Sequence, residues 1–214
     1  MWLHMPATEI LLLRHAEKPD PAQSGTAQSG SGFTSDGEED SESLNVRGWQ
    51  RAGALAACFA PNPLISGHLP VPDRIYASAF RQGGGHSRRP EQTVLPLARK
   101  LGCVVDLTWA LHQEAVFGAA LAAQAGTALV CWQHQGLADL ARAIAAPQRL
   151  LELPADWSWP QDRYDVIWSL RRRAPGEAWH FTQYCQALLA GDPDRPFVLS
   201  PESPPAAGLQ PSCH

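Results

Sequence analysis

The run Glu9-Ile10-Leu11-Leu12-Leu13 stops abruptly at Arg14-His15. In an extended chain successive side chains point to opposite faces, so an unbroken aliphatic run needs cover on both. That is the signature of a central strand in a layered α/β fold. The strand ends by delivering a cation and an imidazole to its carboxyl-terminal edge, which is where open α/β sheets bind ligands. A histidine there, with a fixed positive charge beside it, suits attack on an anionic phosphorus centre.

The rest of the chain repeats the alternation. Residues 73–78, 104–107 and 127–132 read as strands. Residues 44–59, 89–101, 114–125 and 137–144 read as helices, with Pro90 tolerated in the first turn of the second and Gly126 closing the third. Strand-helix alternation predicts a three-layer α/β/α sandwich with a mostly parallel central sheet, as one domain over residues 1–214. Residues 19–43 are rich in Ser, Gly and acidic side chains and read as a mobile loop, with a solvated acidic run at 36–42. Beyond Pro147 the pattern weakens. Residues 164–170 look like a strand, and 179–190 could be a strand and a helix, or either alone. Arg171-Arg172-Arg173 reads as a solvated or helix-end run, with a substrate-anion clamp as the alternative, Trp157, Trp159 and Trp168 as core or cap residues, and 201–214 as a loosely held tail.

Composition excludes several classes of function. With 214 residues, 44% hydrophobic and 18% charged, the chain is globular in type. A net charge of -4 leaves no basic footprint for nucleic acid. No apolar run approaches a membrane span, and the amino terminus does not read as a signal peptide. Five scattered cysteines without a CxxC pair favour reduced thiols and a cytoplasmic location. His4, His68, His112 and His180 show no metal-ligand spacing, and no Gly-x-Ser-x-Gly elbow is present.

Four pieces fall at strand ends or helix starts: Arg14-His15, Arg89 in Arg89-Pro90-Glu91-Gln92-Thr93, Glu114, and His134 after Leu129-Val130-Cys131-Trp132-Gln133. With Leu44-Asn45-Val46-Arg47-Gly48 between the first two, this order resembles the histidine phosphatase superfamily, also called the phosphoglycerate mutase-like family, over about residues 9 to 145. The resemblance implies a phosphohistidine intermediate on His15. It implies phosphate binding by Arg14, Arg89, His15 and His134, transition-state stabilisation by His134, and no metal or cofactor. Glu114 stands where the family often places its proton donor, with Glu17 and Asp20 as reserves. Glu114 also suits the first turn of a helix for dipole reasons alone. Arg81, Arg88 and His86 compete with Arg89, because three extra glycines lengthen the turn before it. The implied activity is metal-independent hydrolysis of a phosphomonoester, on a phosphorylated small molecule or a phosphoprotein. Ala16 stands where the mutases have Gly, which disfavours phosphoglycerate mutase-type transfer. A phosphohistidine-protein phosphatase and a non-catalytic phosphate- or phosphoprotein-binding module are the other readings.

Overall fold

The computed structural model describes residues 8–20, 30–60, 69–80, 87–148, 150, 153, 157–197 and 199. The aliphatic run forms β1 (Thr8–Arg14), and Ile10, Leu11, Leu12 and Leu13 are all fully buried. Ile10 and Leu12 pack into one hydrophobic cluster, Leu11 and Leu13 into another. This is the two-faced burial that the run requires. Each such side chain contributes about 1.5–3 kcal/mol.

The chain continues through α1 (Val46–Phe59), β2 (Arg74–Ala77), α2 (Arg89–Leu101), β3 (Val105–Asp106), α3 (Glu114–Ala122), β4 (Gly126–Trp132), α4 (His134–Ala145), β5 (Val166–Arg172) and β6 (His180–Cys185). The six strands lie in the order β3-β2-β4-β1-β5-β6. Helices α1 and α2 pack together over the Leu11 face, and α3 and α4 over the Ile10 face. The result is a three-layer α/β/α arrangement. Its core strands β1, β4, β2 and β3 are parallel, as expected.

Two strands run the other way. β5 pairs antiparallel with β1, and β6 antiparallel with β5. The sheet is therefore mixed. Antiparallel β5 begins opposite the end of β1, with Ile167 against Leu13. The segment that precedes β5 is thereby delivered to the carboxyl edge of the parallel strands. Adjacent β1 and β4 leave that edge toward helices on opposite faces, which opens a crevice between them.

Several local expectations need correction. α3 ends at Ala122, short of 125, and Gly126 starts β4 with φ +88°, close against Asp73. α4 begins at His134, three residues earlier than expected. Of the alternatives left open for residues 179–190, the strand alone is the one present. Arg171 and Arg172 lie in β5 and are not a helix-end run. The Arg172 guanidinium bonds the Ala122 carbonyl and lies 4.5 Å from the Trp179 ring. Residues 30–43, expected as part of a mobile loop, form a tight turn. Phe33 bridges Glu39, Thr34 N bonds Glu38 O, and Ser43 is fully buried. Trp157, Trp159, Trp168 and Phe197 form an aromatic cluster, as the core reading expected. Arg81, His86, His4, His68, the glycine turn at 82–86 and the tail from 201 lie outside the described residues.

Candidate active site

His15 is the first residue beyond β1. Its amide donates to the Trp132 carbonyl (3.1 Å), which extends the β1–β4 ladder by one bond. The residue is 4% exposed, and its Nδ1 lies 2.7 Å from the Ala16 carbonyl oxygen. A carbonyl only accepts, so Nδ1 carries the proton and Nε2 keeps its lone pair. His134 opens α4 just past β4, and its Nδ1 is buried without a hydrogen-bond partner among the described residues. The two imidazoles leave the same sheet edge from neighbouring strands. They are close enough for charge on His134 to lower the proton affinity of His15.

Arg14 ends β1 and is 1% exposed. Its Nη1 donates to three carbonyl oxygens of the pre-β5 segment: Pro160 (3.0 Å), Gln161 (2.6 Å) and Arg163 (3.2 Å). The Tyr164 ring lies 4.0 Å from the guanidinium carbon. Nε and Nη2 are buried with no partner among the described residues. These two nitrogens share one edge of the plane, the edge that grips two oxygens of a phosphate or carboxylate. Donors left unpaired in the interior cost free energy, and an oxyanion in the crevice would remove that cost.

Arg89 opens α2, and its helix is tied through Thr93 to Ala16, the neighbour of His15. The Thr93 hydroxyl donates to Arg89 O (2.7 Å) and accepts from Ala16 N (2.8 Å). The Arg89 guanidinium feels His15 and Arg14 electrostatically, but its hydrogen bonds go to the Ser87 hydroxyl, 3.3 Å from Nη1, and to the 41–43 turn. Nε meets Ser43 O at 3.2 Å and Nη2 meets Ser41 O at 2.5 Å, with the Glu42 carboxylate 3.6 Å away. Arg88 points elsewhere, over the Phe80 ring and 3.5 Å from Asp40. The acidic run is therefore only partly solvated, since Asp40 and Glu42 face this arginine pair.

Burial is the main reason that both histidines bind protons weakly, and the Arg14 charge is the next. His15 sits well below its usual value, with Arg89 and His134 adding to the effect. His134 falls to about 4, with help from Lys18. Both rings are neutral at pH 7. The unfolded chain takes up these protons near pH 6.5 and the folded chain does not, so stability is full above that value and is lost as pH falls toward 4. Thermal melts of His134→Asn should show a shallower loss between pH 6.5 and 4 than the parent protein. Parallel acid slopes would contradict the shift.

The carboxylates are already occupied. Glu114 Oε1 accepts from Trp132 Nε1 (2.9 Å) and His112 N (3.1 Å), beneath the first turn of α4. No interaction among the described residues joins it to His15 or Arg14. Gly136 makes room for it, because a Cβ there would collide with Glu114 Oε1 and lie 2.8 Å from Trp132 Nε1. Gly136→Ala should destabilise the fold by roughly 1–3 kcal/mol, measured by urea titration. Glu17 is 2% exposed and gives both oxygens to Arg51, at 2.7–3.1 Å. Arg51 also holds Asp192, which anchors the segment after β6. Asp20 lies within electrostatic reach of Tyr164. Among the described residues no group of three or more His, Cys, Asp or Glu side chains is placed to hold a metal ion, and no helix is long and apolar enough to cross a membrane.

Sequence reasoning missed Tyr164, the three carbonyls on Arg14, and the Glu17–Arg51–Asp192 cluster. Tyr164 carried no local signal, because it reaches the site only through the direction of β5. Arg51, an arginine on the buried face of a helix, was the one legible hint of a buried acid.

No family model matches this chain, and no curated protein does. Among solved structures it is similar to one from Nakamurella multipartitia described as a candidate phosphohistidine phosphatase SixA. That likeness has 16% identity and a TM-score of 0.46, and covers 82% of this chain and 94% of that one.

Proposed function

We propose that the protein is a metal-independent phosphatase that forms a phosphohistidine on His15. The observation that carries this is the pairing of two features at one strand end. Nε2 of His15 holds a free lone pair because Nδ1 is tied to Ala16 O, and the neighbouring Arg14 presents a buried two-donor edge with no partner among the described residues. Arg14 grips two phosphoryl oxygens, and Arg89 and His134 add positive field and a further donor. Nε2 attacks phosphorus, the bond to the leaving oxygen breaks, and a nitrogen–phosphorus bond forms. Water then attacks phosphorus, breaks that bond and releases inorganic phosphate, and His15 is regenerated neutral.

Glu114 is the proton donor that the sequence suggests, but its Oε1 is held by Trp132 and His112, and Glu17 is held by Arg51. A site with little acid assistance suits substrates whose leaving group departs readily, and this favours a second reading as a phosphohistidine-protein phosphatase. Turnover of an aryl phosphate, a phosphoramidate and an alkyl phosphate in the presence of chelator tests both. We expect turnover of the first two and a much slower third, and Glu114→Gln should leave aryl phosphate hydrolysis within about threefold of the parent. Binding of phosphate without turnover of any substrate would replace the enzyme by a phosphate-binding module. Rapid alkyl phosphate hydrolysis that collapses in Glu114→Gln would make Glu114 the acid.

A further inference from the structure

We propose that Tyr164 is a positioning residue that holds Arg14 with its Nε–Nη2 edge turned to the phosphoryl group; the proposal rests on the phosphatase reading above. All three carbonyl bonds to Arg14 fall on Nη1. They fix one corner of the guanidinium and leave it free to tilt about that corner. The Tyr164 ring face, 4.0 Å from the central carbon, removes this freedom. The same ring lies 6.1 Å from the His15 ring at 51°, so one side chain spans the anion grip and the nucleophile.

Tyr164 is itself pinned. Its carbonyl accepts from Gln186 Nε2 (3.0 Å). The preceding Arg163 is clamped to the following Asp165 by two bonds of 2.7 and 2.9 Å, and it also donates to Arg195 O (2.8 Å). The ring takes no part in the tryptophan cluster of the core. Among the described residues, its ring-pair and cation–π contacts are with His15 and Arg14. A half-buried tyrosine held this firmly and facing two site residues is built to place them.

The test compares the parent with Tyr164→Phe and Tyr164→Leu by calorimetric titration of inorganic phosphate, aryl phosphate kinetics and thermal melts. Tyr164→Leu should weaken phosphate binding and lower kcat/KM by about tenfold, the size expected of a largely desolvated cation–π contact. Tyr164→Phe keeps the ring face and should stay within about twofold on both readouts. The two variants should melt close together. If the leucine variant melts below the assay temperature, Tyr164→Met takes its place. A leucine or methionine variant equal to the parent overturns the proposal. So does a phenylalanine variant that falls as far as leucine, because the hydroxyl would then be the active feature. A parent protein that neither binds phosphate nor turns over substrate defeats the phosphatase reading and this proposal with it, an outcome distinct from the other two.

Discussion

His15→Ala should abolish turnover, lowering kcat by roughly 10⁴-fold or more while leaving the fold intact, as loss of a covalent nucleophile does elsewhere. The fold should survive because, among the described residues, the His15 ring makes only one hydrogen bond, to the carbonyl of the next residue, whereas its backbone amide holds the ladder to Trp132. That amide is unchanged in the variant. The nearest thiol offers no substitute for the imidazole. Cys131, the thiol nearest the strand end, is fully buried on the Leu13 face, where burial pushes it well above its usual value. Circular dichroism and a melting curve beside the kinetic assay separate lost chemistry from lost structure. A variant that keeps even a tenth of the parent rate would remove His15 from the mechanism.

Arg14→Lys should be nearly as damaging, at roughly 10² to 10³-fold in kcat/KM, the cost of removing a preorganised donor aimed at developing charge. Lysine keeps the positive charge and loses the plane. An ammonium has no second edge with which to grip two oxygens once its donors have satisfied the carbonyls of Pro160, Gln161 and Arg163. Its affinity for inorganic phosphate should fall in parallel. If lysine serves as well as arginine, the two-donor edge is irrelevant and charge alone holds the anion. The variant also tests whether the pre-β5 segment depends on Arg14 for its shape, because Trp159 Nε1 and Arg14 Nη1 share the Arg163 carbonyl.

Much of the parallel half was legible in the sequence for one reason. Strands buried on two faces give unbroken apolar runs, and β1 and β4 are such strands, so their ends were easy to mark. Arg14, His15 and His134 fall at those ends, and a parallel pairing puts both ends on one edge. The start of α2 was legible through Pro90 and the spacing of Arg89 to Thr93, which the structure shows as a hydroxyl bridge between the helix and Ala16. The remainder was hidden by the direction of a strand. An apolar run such as Val166-Ile167-Trp168 reads the same whether it lies parallel or antiparallel, yet only the antiparallel choice brings Pro160 to Tyr164 against Arg14. The 30–43 turn was hidden for a different reason. Its order comes from long-range bonds to Arg88, Arg89 and Gln92, partners that a local composition of Ser, Gly and acid cannot reveal.

The central claim is that phosphorus becomes bonded to His15 during turnover. The direct measurement is to quench the protein during hydrolysis of a labelled aryl phosphate and map the labelled peptide. The account predicts one phosphoryl group on the peptide carrying His15, lost in acid and stable in base as a phosphorus–nitrogen bond should be, and missing from His15→Ala. Label on His134, on an acid-stable ester, or on no residue while product accumulates would contradict it.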